Sequence, residues 1–476
     1  MVVYENFYKK DPIVMCMPPP ISKECGENIF LNYLDYLNKF MSLIPQKIDD
    51  DFKSSPTDFV RDSKLTFPKT VVFTLHAAAS GKSKGIDTKS GEFFKNARRS
   101  HLWLEADAVH RSAITKAREK INWRCFENIF YKTVDLAYEL WPESEDFLWH
   151  GMSVYAIDGS KVDLPASYEI REEFDPDSGL ENRGRGHYPQ CLVSTVYDVF
   201  RRIPVARTVV GIKEADEREE VKKMIPYIPA GNVLLFDRGY PGYELIKYLN
   251  ETYSGYYIFR CPASHTFPAV EQFIKSNKEE AIIWIDPTNN YKKKLTAKER
   301  KKLTSIKLRI VKLVSPDGEV SVLLTNLFDK KEYPNSGIIE LYFKRWGVEN
   351  HYRDEKVILE IEKFHSKSCN GIMQEFFAIL IMSVISRVLM ILTSKYFSPS
   401  PIEPQFKNAI MTLASDAAIL TPDFPEKAIE IFEDIIREIS RVKYYRPKEP
   451  RPTQPRVSKK PINKWIVGKT KKSRSP

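Results

Sequence analysis

Val233-Leu234-Leu235-Phe236-Asp237-Arg238-Gly239-Tyr240 is the stretch on which the fold turns. Four consecutive apolar residues leave no polar face, as in a strand covered on both sides of a sheet, and such strands are mostly parallel. The run stops at an acid and a glycine, residues suited to a turn into a helix. The spacing of apolar residues then predicts a short helix over Tyr243–Asn250 and a further strand over Tyr256–Arg260. Strand, turn, helix, strand is the order of a βαβ unit.

Working upstream, Ser153–Ile157 reads as a strand ending at Asp158. Tyr188–Val199 and Ile203–Val210 read as two strands joined through Arg201-Arg202, and Glu214–Tyr227 as a helix. Before residue 145 the pattern is mostly helical, at Glu27–Leu43, Pro68–Ala79, Ala106–Lys120 and Trp123–Leu140. Polar turns at 80–83 and at Gly91 separate these stretches. Downstream, residues 262–335 turn toward strands, at Ala281–Ile285, Thr304–Leu313 and Val320–Thr325, with lysine-rich connectors over 292–302. Helices return at 336–357, 370–396, 403–419 and 424–440. The expectation is an α/β protein in three parts. Residues 1–145 form a helical domain. Residues 146–395 form a mixed core interrupted by a β-rich insertion at about 262–335, and residues 396–476 form a helical region ending in a basic tail.

Composition narrows the function classes. At 476 residues the chain can bury more than one core, and 42% hydrophobic with 29% charged residues fits a globular protein. The most apolar stretch, Phe376–Leu392, carries Ser383, Ser386 and Arg387, so it reads as a buried helix and no membrane is expected. The N-terminus lacks a basic-then-apolar signal pattern, so export is not expected and a cytoplasmic protein is. None of the six cysteines pair at a CxxC spacing, which argues against a zinc site or disulfide framework. Net charge is +10, and residues 441–476 hold thirteen Lys and Arg against Glu449 alone. Such a tail suits nucleic-acid phosphates, and it equally suits a solvated terminus.

Two aspartates stand where chemistry is expected. Asp158 and Asp237 each follow a buried apolar run, and acids at strand ends open into the crevice where α/β sheets place their sites. Each taken singly is as well explained by capping a turn. A third acid comes from Tyr342, Arg345, Glu349 and Lys356. At about 100° per residue of α-helix, these four project within an arc of roughly 60°. One face would then offer an aromatic ring, a bidentate phosphate binder, a carboxylate and a point charge. The plainer account is a surface helix with an Arg345–Glu349 pair, which alone is worth only about 0.3–0.5 kcal/mol. Three converging carboxylates repel one another unless a cation joins them, and Mg²⁺ prefers such oxygen ligands. Two ions would hold the attacking and leaving oxygens of an in-line displacement at phosphorus.

The spacing Tyr342, two residues, Arg345, three residues, Glu349, six residues, Lys356 resembles without a gap the YREK signature of the insertion-sequence type-four transposases. Asp158 in Tyr155-Ala156-Ile157-Asp158-Gly159-Ser160 is similar to that family's first acid, and Asp237 in Asp237-Arg238-Gly239-Tyr240 to its second. The resemblance covers about 150–395. It implies a DDE transposase with a ribonuclease-H-like core, in which Asp158, Asp237 and Glu349 bind two Mg²⁺ ions that Mn²⁺ can replace. It also implies an N-terminal domain that binds element-end repeats in double-stranded DNA, a C-terminal region supporting a homodimer, and cut-and-paste transposition, often through a hairpin. Tyr342 and Arg345 would steer the strand, and Lys356 would hold phosphate. A related transposase stacks an insertion-domain tryptophan in the hairpin. Here Ser321 stands at the aligned position, beside Leu323-Leu324-Thr325, leaving Trp284 or Trp346 as substitutes and Trp346 expected in the core.

Other residues have plainer readings. Asp163 is expected to end a strand before Pro165, and His365 to be a satisfied core or turn histidine. Arg183, Arg185 and His187 fit a solvated loop or DNA contact, as do Lys292–Lys294 and Lys298–Lys302. Two other functions compete with transposition. One is a ribonuclease-H-like nuclease that cuts without joining. The other is a domesticated, non-catalytic DNA-binding protein, against which the three intact acids stand.

Overall fold

The computed structural model describes residues 26–444 apart from 62, 82, 177–187, 265, 277, 315–317 and 398–402, with backbone only at 26–32, 394–397 and 444. Arg183, Arg185, His187 and the basic tail from 445 onward lie outside the described residues.

Eight strands form one mixed sheet: β1 (Val154–Asp163), β2 (Gln190–Asp198), β3 (Ile203–Gly211), β4 (Val233–Phe236), β5 (Tyr256–Pro262), β6 (Glu280–Ile285), β7 (Ile306–Val314) and β8 (Val320–Thr325). Their order is β3-β2-β1-β4-β5-β8-β7-β6. Strands β1, β4 and β5 are parallel, and every other pairing is antiparallel. The run Val233–Phe236 is the short central strand, with all four side chains fully buried. It is apolar because both of its faces are covered.

The register explains where the acids emerge. Ile157 opposite Phe236 is the last pair between β1 and β4. Asp158 and Asp237 are therefore the next residues on neighbouring parallel strands. The expectation that a strand ends at Asp158 is corrected. Strand β1 runs on to Asp163, because β2 continues to pair with it, Asp158 facing Thr195. What ends at that level is β4, not β1.

Strands β6 to β8 extend the central sheet. Strand β8 pairs antiparallel with β5, Ile258 opposite Thr325, and covers what would otherwise be an open edge. Between these strands lie helical pieces that the strand-like composition of 262–335 hid, at Pro268–Lys275, Asn289–Lys294 and Ala297–Arg300.

The apolar stretch lies in a long helix, Cys369–Phe397. It is apolar enough to cross a bilayer, yet most of its side chains are buried inside the protein. Helices from both ends of the chain cover it: Phe67–Ala79 and Arg124–Leu140 from the first third, Phe406–Ser415 and Pro425–Arg441 from the last. Near its start Arg118 bonds Gln374 at 3.0 Å, the Gly371 carbonyl at 2.8 Å and Glu375 at 3.1 Å. These bonds satisfy polar groups that would be costly to bury alone.

Three helical expectations change. Gly91 does not mark a turn; it lies inside a helix, Ile86–Arg99, a mostly polar segment that buries only Lys89, Ser90, Phe93, Phe94 and Ala97. Glu214–Tyr227 divides into the helix Glu217–Met224 between two 3₁₀ turns, the second holding Pro226, which cannot donate to a continuing α-helix. The segment expected as one helix over 336–357 is Asn335–Phe343, then Trp346–Arg353, then a π-turn over Asp354–Ile358. At the first break Arg345 N–H bonds the Tyr342 carbonyl at 3.0 Å, and Val348 N–H bonds the Arg345 carbonyl at 3.1 Å, a tighter 3₁₀ winding.

Candidate active site

Asp158 and Asp237 leave adjacent parallel strands side by side, and the segment 335–358 crosses above them. Tyr352 fastens that segment down, its hydroxyl donating to the Asp158 carbonyl at 2.8 Å and lying 3.1 Å from the Val193 carbonyl. Val348, His351 and Tyr352 form the inward face, and Gly347 packs against the Tyr197 ring. That choice of face corrects the expectation for Trp346. Its ring, one residue off the packed face, is 54% exposed.

Two carboxylates meet on one guanidinium nitrogen. Arg345 Nη2 lies 2.7 Å from Glu349 Oε1 and 3.7 Å from Asp237 Oδ1. The Tyr342 hydroxyl donates to the same Asp237 oxygen at 3.4 Å. Arg345 is buried, with its side chain 3% exposed, whereas Glu349 and Asp237 are open at 39% and 32%. This differs from the surface ion pair that the spacing alone suggested. The base is inside and the acids face outward. Burial works against the Arg345 charge, yet Tyr342, Asp237 and Glu349 raise its pKa above the usual arginine value. Its Nε and Nη1 have no hydrogen-bond partner among the described residues.

Asp158 sits in the same field. Burial, followed by the charges of Asp237 and Glu349, pushes its carboxyl up to about 7, against the opposing pull of Arg345 and of the Gly159 N–H. Tyr342 is raised by burial more than anything else, so its hydroxyl stays protonated and acts as a donor. Lys356 is engaged elsewhere: its Nζ donates to the Lys161 carbonyl at 2.7 Å and lies 3.8 Å from Glu362. An ideal wheel placed it beside Glu349, but the π-turn winds more slowly and rotates it off that direction.

The remaining candidates fall as follows. Asp163 closes β1 and accepts from Gln190 at 2.7 Å. His365 lies 3.6 Å from Glu375. Ser321 is buried inside the sheet and accepts from Arg260 Nε at 3.3 Å, while Trp284 on β6 is 57% exposed. A cleft of about 940 Å³ lined by Trp123, Glu169, Arg207, Lys223 and Cys369 lies apart from the acids. Asp237 and Glu349 instead stand open to solvent, with Asp158 half-buried beside them.

One acid escaped the sequence reading. Glu217 opens the helix Glu217–Met224, where its only visible signal was that of a helix start. Its carboxylate lies against Gly159, which follows Asp158, and near Gly239, two residues after Asp237. A Cβ on Gly159 would lie 2.9 Å from Glu217 Oε1, and one on Gly239 would lie 4.0 Å from Oε2. The neighbouring Arg218 holds the Asp237 turn through the Gly239 and Pro241 carbonyls, both at 3.0 Å.

The donor chemistry suits a hard divalent cation: carboxylates, with no thiolate or imidazole among them. Arg345 now neutralises two of the acids. Among the described residues no three Asp, Glu, His or Cys side chains are drawn to metal-ligand spacing.

Comparisons with known proteins bear on this arrangement. Residues 149–385 match the family model described as the transposase DDE domain. Over 288 residues the chain is 23% identical to the transposase InsG for insertion sequence element IS4 of Escherichia coli (strain K12), covering 60% of this chain and 62% of that protein. Over 159 residues it is 25% identical to InsZ, named as a transposase in the same organism, covering 32% of this chain and 52% of that one. The matches thus span between half and two thirds of those relatives. Among solved structures, a piggyBac transposase synaptic complex with hairpin DNA aligns at a TM-score of 0.43 and 10% identity, over 87% of each chain. A likeness that loose carries no weight here.

Proposed function

The match over residues 149–385 makes this chain a member of the DDE transposase family, and from that premise we propose that it is a DNA transposase that cuts strands at element ends and joins them to target DNA. The observation that carries the proposal is the convergence of Asp158 and Asp237 from paired parallel strands with Glu349, which Arg345 ties to Asp237. The sheet order β3-β2-β1-β4-β5, with β2 antiparallel to its neighbours, supports a ribonuclease-H-like core to which β6–β8 are added.

Asp158, Asp237 and Glu349 would hold two Mg²⁺ ions, for which Mn²⁺ can substitute. When bound, such ions activate the attacking hydroxyl and stabilise the leaving oxygen at phosphorus. The chain's own residues do the positioning. Tyr342 orients Asp237 by donating to it. Arg345 holds Asp237 and Glu349 through one nitrogen, Nη2, while its Nε and Nη1 lie buried without a partner among the described residues. Tyr352 ties the segment bearing Glu349 to the strand bearing Asp158. Lys356 reaches phosphate by leaving the Lys161 carbonyl, a neutral partner that a phosphate charge outcompetes. The DNA is double-stranded, the helices before residue 145 take the end repeats, and two copies of the chain act together.

The test is strand cleavage and strand transfer on DNA flanking the coding region, with Mg²⁺ or Mn²⁺. Nicked ends followed by joined product support transposition, and covalently closed ends reveal a hairpin route. Cleavage without joined product assigns the chain to nucleases. Binding without cleavage under either metal assigns it to non-catalytic DNA-binding proteins.

A further inference from the structure

Glu217 is unlike the other acids of its helix. Three acids fill the first turn, Glu217, Glu219 and Glu220, as the helix dipole favours. Glu219 pairs with Lys222 at 2.6 Å and Glu220 with Lys223 at 2.7 Å, each three residues on. Three residues on from Glu217 is Glu220, so the same device is closed to it, and it has no ion pair among the described residues. Dipole stabilisation would be served as well by an acid pointing into solvent. Glu217 instead lies back over the strand ends.

Its seat has been kept clear. Gly159 has no positive φ that would call for glycine. It pairs regularly with Ser194 inside β1. What glycine supplies there is space, since a Cβ would meet the Glu217 carboxylate at 2.9 Å. The adjoining residues are Asp158 and, through Gly239, the turn of Asp237. Beneath lies Tyr240, 1% exposed, whose hydroxyl faces Glu217 and Asp158 yet has no well-formed hydrogen bond to any described atom. A carboxylate without a cationic partner, seated on the glycine that follows Asp158 and facing a buried hydroxyl with no well-formed bond, is half of an interaction.

We propose that Glu217 is a fourth carboxylate of the active site, joining Asp158 in holding the divalent cation, either directly or through a water in its shell. This rests on the active-site reading above. It goes beyond that reading by adding a ligand-side residue from another element, the helix Glu217–Met224. The cation would then sit between β1 and the start of the helix Glu217–Met224, and Tyr240 would donate to whichever carboxylate oxygen the cation leaves free.

Mn²⁺ titration of the full-length chain, followed by electron paramagnetic resonance without DNA, tests this apart from activity. Glu217→Gln should weaken Mn²⁺ binding by roughly ten-fold or more, the scale of removing a group that supports a metal site. Gly159→Ala should do the same while leaving the carboxylate in the chain, because its new Cβ displaces it. Glu219→Gln, on the same turn, should bind as wild type. Circular dichroism melting of each variant shows that folding is retained. If Asp158→Asn and Asp237→Asn weaken binding while Glu217→Gln and Gly159→Ala match wild type, the fourth-carboxylate inference is overturned and the active-site reading stands. If the aspartate variants also bind like wild type, the active-site reading fails and takes this inference with it.

Discussion

Two buried arginines, each reaching a glutamate of the same segment, behave in opposite ways. Arg207 on β3 places Nη2 2.8 and 2.9 Å from the two oxygens of Glu355, and both side chains are almost wholly buried. Thr195 and His351 join that cluster at 3.0 and 3.4 Å, and Arg207 Nη1 lies buried without a partner among the described residues. Arg345 is equally buried, but its partners Asp237 and Glu349 are open to solvent at 32% and 39%. The first cluster is closed and holds the segment 346–358 against the sheet. The second is a buried base carrying exposed acids, which stability alone does not require. A buried ion pair seldom repays its desolvation, so the closed one serves position and the open one is free to bind. Glu349 and Glu355 are six residues apart in one segment. At about 100° per residue, six residues set the two side chains roughly 120° apart, so Glu355 faces β3 while Glu349 faces the strand ends.

Substitutions should separate the two clusters. The largest effect is expected at the open one: Asp237→Asn or Glu349→Gln should lower strand cleavage on the order of 10⁴-fold, the scale of losing a catalytic group. Thermal melting should be nearly unchanged, and a variant that lost activity by unfolding would blur the distinction. Next comes the closed cluster. Glu355→Ala leaves Arg207 buried without its counter-charge and should cost about 3–5 kcal/mol, read by denaturant unfolding. Metal binding per folded molecule should be unaltered.

A pH series sharpens the same contrast. Burial alone would raise the Glu355 carboxyl, but Arg207 and His351 outweigh it and hold it at about 2. A depressed carboxylate contributes stability that is complete above its unfolded value, near 4.5 for glutamate, and is lost as pH falls toward the folded value. Wild-type stability should therefore decline between about pH 4.5 and 2 more steeply than that of Glu355→Gln, whose amide does not titrate. Equal slopes would show that Glu355 is not so held.

Smaller effects are expected further from the acids. Arg345→Lys keeps the charge but loses the planar guanidinium whose Nη2 lies 2.7 Å from Glu349 and 3.7 Å from Asp237. It should slow cleavage by roughly 10–100-fold with little change in melting. Lys356→Ala should be mildest. If Lys356 trades the Lys161 carbonyl for a phosphate on DNA, the salt dependence of DNA binding should fall by about one unit of slope. An unchanged slope would leave it a structural tie to β1.

The two aspartates were legible in the sequence because each follows an apolar run, and burial on both faces of a strand writes itself as such a run. The segment bearing Glu349 was legible in its spacing but not in its winding. Periodicity assumes about 3.6 residues per turn, and neither the 3₁₀ break at Arg345 nor the π-turn at Asp354–Ile358 leaves a compositional mark. The pairing of β8 with β5 and the bond of Arg207 to Glu355 join residues far apart in the chain, so no local pattern announces them. Glu217 was hidden for a related reason. Its helix-start position is ordinary, and its company of Gly159 and Gly239 exists only in three dimensions.

The claim on which the rest depends is that Asp158, Asp237 and Glu349 share bound cations. Replacing Mg²⁺ with Fe²⁺ and generating hydroxyl radicals at the bound ion would cut the backbone wherever the ion sits. The account predicts cuts near residues 158, 237 and 349 that excess Mg²⁺ suppresses and Asp237→Asn abolishes. Cuts confined to other regions, or indifferent to Mg²⁺ and to Asp237, would contradict it.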